Sequence, residues 1–274
     1  KKEPYQKDDI FRLCSMTKAI TTVAIMQLYE QGKLDLDDPI QNYIPAFKKT
    51  QVLDTFNEKD SSYTTVPVKS PITIRKLLTH TSGIAYGDFN PGKIQAVYAR
   101  NHMLGVGMYH PSWTTEEFIN RLAEVPLIFQ PGERYLYGLN MDVLGRVVEV
   151  VSGEKLGDYF RKHIFEPLGM KDSYFYLPKE KQNRLVPVCS YDPNGKFEVL
   201  GHTGMAMNPD YPNAIDNGHY AGGGGAVSTA KDYAIFIQAL LNNGVYNNQR
   251  ILGRKTIEMM TGDQMILLNQ QGNG

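Results

Sequence analysis

The 274-residue sequence predicts a helix-rich fold with few strands. Several segments carry apolar residues at helical spacing, and they begin at a capping residue or end at glycine. By contrast, one segment, 184–201, is typical of a β-hairpin. A domain of this size with so few strands is expected to be all-α, or to be a piece of a larger mixed fold.

The first predicted helix begins near Ser15 and ends at Gly32. Its opening stretch, CSMTKAITTVAIMQL, contains one charged residue, Lys18. A helix that is uncharged on all sides is normally buried, and an unpaired ammonium in such a place is destabilising by several kcal/mol. We therefore expect Lys18 to serve a chemical role. The alternative is a lysine whose stem lies along one edge of the helix with its ammonium in solvent.

Further helices are expected in order along the chain. A short helix lies around Ile74–Thr79, and a later one starts with a capping box formed by Thr114 and Glu117. Between them, residues 84–112 show weak periodicity, and we expect a long excursion over the surface that can include helical turns. Two amphipathic helices then follow, at 140–153 and at 155–170, the second stopped by the proline and glycine near its end.

The last third of the chain begins with the predicted hairpin, whose turn is the Asn-Gly pair at 194–195. The glycine run at 222–225 leads into a helix capped by Thr229, and a final helix is expected at 253–262. The helix after Thr229 has a predicted apolar stripe formed by Ala234, Ile237, Leu240 and Leu241.

Composition excludes several classes of partner. Lys+Arg and Asp+Glu both number 29, so the formal net charge is zero, which argues against a nucleic acid or an anionic membrane surface as the main partner. No apolar run is long enough to span a bilayer. The six histidines show no metal-ligand spacing, and we expect neither a metal nor an organic cofactor. The two cysteines, Cys14 and Cys189, are expected to be buried thiols.

The pattern Ser-x-x-Lys places a hydroxyl and an amine on the same helical face, where a desolvated amine can take the hydroxyl proton. It occurs three times, at Ser15/Lys18, Ser152/Lys155 and Ser228/Lys231. Ser152 lies at the end of one predicted helix, and Lys231 falls off the apolar stripe of another. The buried setting therefore favours Ser15 and Lys18. The competing nucleophile pattern, Gly-x-Ser-x-Gly, is absent.

Five stretches together resemble the serine β-lactamase and penicillin-binding-protein superfamily, and within it the class C β-lactamase and esterase-like branch. They are IFRLCSMTKAITTVAIMQLYEQGKLDLDDPI, ITIRKLLTHTSGI, PGERYLYGLNMDVLGRVVEVVSG, FEPLGMKDSYF and GGGGAVSTAKDYAIFIQALLNNG. The resemblance implies an α/β (α+β) fold, in which an antiparallel sheet is flanked by helices and joined to an all-helical region. It implies a single catalytic domain over residues 1–274 that is incomplete at both ends, since the family's opening and closing sheet strands are missing.

The resemblance also implies roles for individual residues. Ser15 is the nucleophile, Lys18 activates it, and Tyr137 works with the lysine as proton shuttle. The family's tyrosine motif is Tyr-x-Asn or Tyr-x-Ser, whereas Leu139 stands in the third place here, as in the esterase-like branch. Asn140 follows one residue too late for the motif, but it remains a candidate for substrate binding.

Two glycines, Gly223 and Gly224, are further candidates for substrate binding. The family's third motif, Lys-Thr-Gly or a variant, follows the glycine-rich helix and is expected beyond this chain, together with the second oxyanion donor. The triplet at 202–204, His-Thr-Gly, has similar letters, but it precedes the glycine run and is interpreted as a chance match.

The function predicted from this resemblance is a serine hydrolase that forms an acyl-enzyme on an ester or amide, of the esterase, D-amino-acid peptidase or β-lactamase type. Its expected partner is a small ester or amide, or a peptidoglycan-type peptide; family analogy favours a bacterial periplasmic or secreted location, and no oligomeric state is predicted. Two alternatives remain at this point: a non-catalytic ligand-binding or sensor domain on the same fold, and an acyltransferase that delivers the acyl group to an alcohol.

Overall fold

Helices form most of the regular structure in the computed structural model, which describes residues 4–199 and 211–265. The helices are α1 (Thr17–Glu30), α2 (Ile74–Leu78), α3 (Lys93–Arg100), α4 (Thr115–Leu122), α5 (Asn140–Ser152), α6 (Leu156–Phe160), α7 (Glu166–Leu168), α8 (Ala230–Leu241) and α9 (Arg254–Thr261). The strands are β1 (Ile10–Arg12), β2 (Gln51–Phe56), β3 (Tyr63–Pro67), β4 (Cys189–Tyr191), β5 (Phe197–Val199), β6 (Val227–Thr229), β7 (Val245–Tyr246) and β8 (Gln249–Arg250). The helix-rich prediction is confirmed; the triplet at 202–204 lies outside the described residues.

The described strands pair as four separate two-stranded antiparallel sheets: β1 with β6, β2 with β3, β4 with β5, and β7 with β8. In the first sheet, Ile10 lies opposite Thr229 and Arg12 lies opposite Val227. This pairing holds the segment that leads into α1 beside the segment that follows the glycine run. It is the part of the sheet structure that positions the candidate site.

The core lies between α1 and α5. Ten of the fourteen residues of α1 are buried, including Lys18, as expected for a helix without a polar face. On α5, which packs against α1, Val143, Leu144, Val147 and Val148 are fully buried. The prediction that Lys18 is the lone charge in a buried helical stretch is therefore confirmed, since Glu30 lies at the exposed end of α1.

The predicted capping residues occupy the positions expected of them. Thr114 and Glu117 form both bonds of a capping box at the start of α4. Thr229 accepts a hydrogen bond from the backbone N–H of Asp232 at the start of α8. Gly153 ends α5 in the left-handed conformation, with φ of 74°. Each of these signals is local, and each was correct.

Residues 84–112 depart from the prediction of a surface excursion. Residues 84–87 are buried, which departs from a surface excursion. The segment also contains α3, in keeping with the helical turns that the prediction allowed. The fully buried Tyr98 on α3 accepts a hydrogen bond at its hydroxyl oxygen from the backbone N–H of Ala85, at 2.9 Å. The buried residues in the first half of this segment are not spaced as in a helix. The hydrophobic pattern therefore did not reveal that they belong to the core.

The helix predicted at 155–170 is broken into three pieces. A π-helical turn at Arg161–Phe165 separates α6 from α7. The helical run ends at Gly169, with φ of 72°, as predicted. Pro167 does not stop it, because the proline lies in the first turn of α7, where its missing N–H is not needed.

The apolar stripe predicted for α8 is wrong. The residues that α8 buries are Asp232, Phe236 and Ala239, whereas Leu241 is 72% exposed and Ile237 is also exposed. The carboxylate of Asp232 fixes this rotation, because its Oδ2 accepts hydrogen bonds from the backbone N–H of Asp172 and from Ser173 Oγ. Both cysteines are partly exposed and not buried as expected.

Candidate active site

Ser15 lies in a 3-10 turn, Cys14–Met16, between β1 and α1. The turn begins at Cys14 with φ of 48°, a left-handed conformation that side-chain-bearing residues rarely adopt. Two bonds to Ala226 fix the turn, since its carbonyl accepts from the N–H of Leu13 at 2.9 Å and its N–H donates to Thr17 Oγ1 at 3.1 Å. The result is an exposed Ser15 side chain at the N-terminus of a buried helix.

Lys18 does not extend to the surface. Its side chain lies within the protein, and the residue is only 9% exposed. Its Nζ donates to Gly223 O at 2.6 Å, to Ser15 Oγ at 3.2 Å and to Tyr86 OH at 3.3 Å. All three protons of an ammonium group therefore have acceptors. The alternative interpretation, with the ammonium in solvent, is wrong.

Tyr137 completes the group around the serine. Its hydroxyl lies 2.6 Å from Ser15 Oγ, and its ring centroid lies 4.7 Å from Lys18 Nζ. The next residue, Gly138, lies very close to the backbone of 84–85: a Cβ there would lie 2.7 Å from the Ile84 carbonyl carbon. The structure thus brings Ser15, Lys18 and Tyr137 together, as the resemblance implies.

Tyr86 is part of the site, and the sequence analysis missed it. It is 8% exposed, and its hydroxyl contacts Lys18 Nζ. Burial raises the pKa of this phenol well above its ordinary value, so it keeps its proton at neutral pH. No sequence signal separates Tyr86 from the other tyrosines, of which the chain has 17.

His80 supports the segment that carries Tyr137. Its Nδ1 lies 3.3 Å from the backbone N–H of Gly138 and 2.9 Å from Asn140 Nδ2. Because the backbone N–H can only donate, Nδ1 is the acceptor and the ring proton is on Nε2. Burial, and then the charge of Lys18, lower the pKa of His80 to about 4, so the ring is neutral at pH 7.

Asn140 does not reach the substrate surface. It is completely buried, and its Oδ1 accepts from Ser82 Oγ at 2.5 Å while its Nδ2 donates to His80. Both ends of the amide are therefore used inside the protein. This corrects the expectation that Asn140 binds substrate: the structure places it in support of His80 and Tyr137.

The glycine run lies where backbone must approach the site closely. A Cβ at Gly223 would lie 2.9 Å from Tyr86 OH, and one at Gly224 would collide with the sulfur of Met108. Gly223 also presents its carbonyl to Lys18 and lines the cleft beside Ser15. Both positions therefore need glycine, Gly223 because a side chain there would displace groups next to Lys18, and Gly224 because it would displace Met108.

Ser15 lines a cleft whose volume is about 480 Å³ when the space open to solvent at its entrance is included. The cleft is more apolar than polar, and its lining includes Tyr86, Asp88, Phe89, Met108 and Gly223. Phe89 is 60% exposed at this surface, and the Asp88 Oδ1 accepts from the backbone N–H of Gly105 at 2.9 Å. An apolar group bound to a carbonyl can therefore lie beside the serine hydroxyl.

The other Ser-x-x-Lys pairs have no such setting. Ser152 Oγ donates to Val148 O within α5, and Lys155 precedes α6, so that pair does not share a helix. Ser228 is fully buried against Ser173, whereas Lys231 is exposed.

Two absences concern only the parts of the chain that the structure describes. Across 4–199 and 211–265, no three His, Cys, Asp or Glu side chains are grouped as metal ligands would be. Within the same residues, no helix has the length and apolar character needed to cross a bilayer.

A comparison with known protein families shows which family this chain belongs to. A family model described as Beta-lactamase matches residues 1–274. The chain belongs to the beta-lactamase family. The helix-rich structure with small antiparallel sheets is the fold of that family, and the resemblance seen in the sequence is confirmed.

Individual relatives include esterases. The uncharacterized protein MT1414 of Mycobacterium tuberculosis is 34% identical over 264 residues, which cover 96% of this chain and 61% of that protein. Lovastatin esterase of Penicillium rubens is 35% identical over 246 residues, covering 88% and 57%. The solved structure of EstCE1, described as a hydrolase with promiscuous acyltransferase activity, matches with a TM-score of 0.76 at 29% identity, covering 93% and 64%. This beta-lactamase-family chain thus spans about three fifths of the length of these relatives.

Proposed function

We propose that this chain carries the catalytic residues of a serine hydrolase that forms an acyl-enzyme on small esters. The observation that supports the proposal is the pair of contacts made by Ser15 Oγ, at 3.2 Å to Lys18 Nζ and 2.6 Å to Tyr137 OH. A nucleophile within hydrogen-bond reach of two proton acceptors is the arrangement that covalent catalysis requires.

The contacts of Lys18 suggest how the proton moves. A neutral amine can donate its two protons to Gly223 O and Tyr86 OH, which leaves its lone pair directed at Ser15 Oγ. The amine, or Tyr137 acting with it, takes the serine proton as Oγ bonds to the substrate carbonyl carbon. The backbone N–H of Ser15, at the start of the helical segment, is the proposed donor to the resulting oxyanion. The departing alcohol takes the proton, and water then removes the acyl group.

The surroundings favour esters over β-lactams. In many relatives, the tyrosine motif provides an amide that helps to hold substrate; here Leu139 occupies that place and is buried. The amide of Asn140 is bonded internally and cannot substitute for it. Phe89 and Met108 line the cleft, so we propose a compact apolar acyl group as the preferred one.

Acyl transfer to an alcohol is the second candidate. The same catalytic residues serve both reactions, because water and an alcohol attack the acyl-enzyme in the same way. The likeness to EstCE1, a hydrolase described as having promiscuous acyltransferase activity, supports this candidate. Transfer would be seen as ester exchange when a short alcohol is added to the hydrolysis assay.

Covalent labelling tests the proposal. The intact protein is incubated with a fluorophosphonate, and the adduct is located by peptide mass; label is expected on Ser15 and is lost in Ser15→Ala. Ser152→Ala is the matched control, because it removes the serine of another Ser-x-x-Lys pair and should leave labelling unchanged. Folded protein that takes no label, and hydrolyses neither p-nitrophenyl butyrate nor nitrocefin, would instead support a binding domain.

A further inference from the structure

Asp142 is a buried carboxylate next to the candidate site. It lies in the first turn of α5 and is 1% exposed. Its Oδ1 accepts from the backbone N–H of Gly223 at 2.9 Å. Its Oδ2 is buried and has no hydrogen-bond partner among the described residues. A buried carboxylate with one oxygen unsatisfied is destabilising, so its presence calls for an explanation beyond packing.

Gly223 connects this carboxylate to Lys18. The N–H of Gly223 donates to Asp142, and the carbonyl of the same residue accepts from Lys18 Nζ at 2.6 Å. A Cβ on Gly223 would lie 3.1 Å from Asp142 Cγ, so glycine lets the carboxylate approach the backbone that holds the amine. Two opposite charges, both shielded from water, are thus joined through one residue.

The electrostatics are consistent with this connection. Burial raises the pKa of Asp142 to about 6, against the charge of Lys18 and the Gly223 N–H, which both lower it. From the elements packed around Asp142, the titratable groups coupled to it are Lys18 on α1 and Tyr86 on the segment before α3. At neutral pH the carboxylate is mostly ionised, and below about pH 6 it takes up a proton.

We propose that Asp142 is a positioning residue that supplies the countercharge for the Lys18 ammonium and, through Gly223, fixes the place of its Nζ. The inference rests on the proposed function. When Ser15 attacks, its proton passes to Lys18 Nζ while Oγ bonds to the carbonyl carbon. The nearby negative charge of Asp142 stabilises the ammonium until the leaving alcohol takes the proton. In low dielectric such a charge has a larger effect than in water.

Asp142→Asn tests this role, because the amide keeps the shape and an oxygen for the Gly223 N–H but removes the charge. The rate constant for fluorophosphonate labelling of Ser15 is measured from pH 4.5 to 8.5. Loss of the countercharge should lower the plateau rate about tenfold. The fall in rate that accompanies protonation of Asp142 below about pH 6 should be absent from the variant.

Asp232→Asn is the matched control. Asp232 is also a buried aspartate in the first turn of a helix, but it bonds with Asp172 and Ser173, away from Ser15. Its labelling profile should follow that of the wild type. If Asp142→Asn retains the wild-type rate and acid limb, the inference is overturned. If wild-type protein is not labelled at Ser15, the proposed function fails instead.

A second measurement applies if Asp142→Asn does not fold. Carbon-13 NMR follows the aspartate carboxyl carbons of the wild type and of Lys18→Met, with the Asp142 signal assigned through its own backbone. Loss of the lysine charge should move the Asp142 titration to higher pH, because that charge lowers its pKa. A titration that does not move would overturn the inference.

Discussion

Gly138→Ala should reduce acylation of Ser15 strongly. A methyl group at residue 138 would lie 2.8 Å from Ala85 Cα and would collide with the Ile84 carbonyl oxygen. Carbon atoms in contact keep about 3.5–4.0 Å, so the two backbone segments must separate by about 1 Å. If Tyr137, the adjacent residue, moves with this segment, its hydroxyl would lie about 3.6 Å from Ser15 Oγ instead of 2.6 Å, which is outside hydrogen-bond distance.

Misplacement of a catalytic group by about 1 Å lowers rates by about 100-fold, and we expect that loss in the labelling rate of Gly138→Ala. The same overpacking should lower the free energy of unfolding by about 1–3 kcal/mol, measured by urea denaturation. Gly262→Ala is the control, because its φ is −75° and a Cβ there meets nothing nearer than 3.4 Å. If Gly138→Ala is labelled at the wild-type rate, the close contact of Gly138 with the backbone of 84–85 does not determine the position of Tyr137.

Further predictions follow from the same structure. Tyr137→Phe removes the hydroxyl next to Ser15 and should lower the labelling rate by about 10²–10⁴-fold with unchanged circular dichroism; a smaller loss would remove Tyr137 from proton transfer. Thr114→Ala removes the α4 capping box and should lower the free energy of unfolding by about 1 kcal/mol, whereas Thr114→Ser should retain it. Burial lowers the pKa of His219 from 6.5 to about 4, so the unfolded chain binds the extra proton and stability falls as pH drops from 6.5 to 4. In urea denaturation, His219→Phe should reduce the change in the free energy of unfolding with pH by up to about 1.4 kcal/mol per pH unit. An unchanged pH dependence would contradict the lowered pKa of His219.

Local signals made most of the fold predictable. The helix ends at Thr114, Gly153 and Thr229 depend only on residues within one helical turn. The local sequence was therefore enough to predict them. The buried face of α8 was predicted wrongly. The side of the helix that carries Asp232 is buried instead, because Asp232 accepts hydrogen bonds from Asp172 and Ser173, which are distant in sequence. Hydrophobic periodicity cannot register a polar contact of this kind.

The site divides in the same way. Ser15 and Lys18 are neighbours on one helical segment, and the uncharged stretch around them made the lysine stand out. Tyr137 could be predicted only from the resemblance to the family, since its hydroxyl meets Ser15 only through tertiary packing. Tyr86 and Asp142 contact amine and backbone atoms of other segments, and nothing in their local sequence distinguishes them from ordinary tyrosines and aspartates.

The pairing of β1 with β6 has a consequence for the order of assembly. The turn that carries Ser15 is fastened to Ala226, and the bond from Ala226 N–H to Thr17 Oγ1 spans 209 positions along the chain. Contacts of such long range form late in folding, after the loop between them has been closed. A ribosome-bound chain that has emerged only through α5 would possess the serine, the lysine and the tyrosine without the segment that holds them in place. We therefore expect the turn that carries Ser15 to become organised only after residues 220–229 have joined the fold.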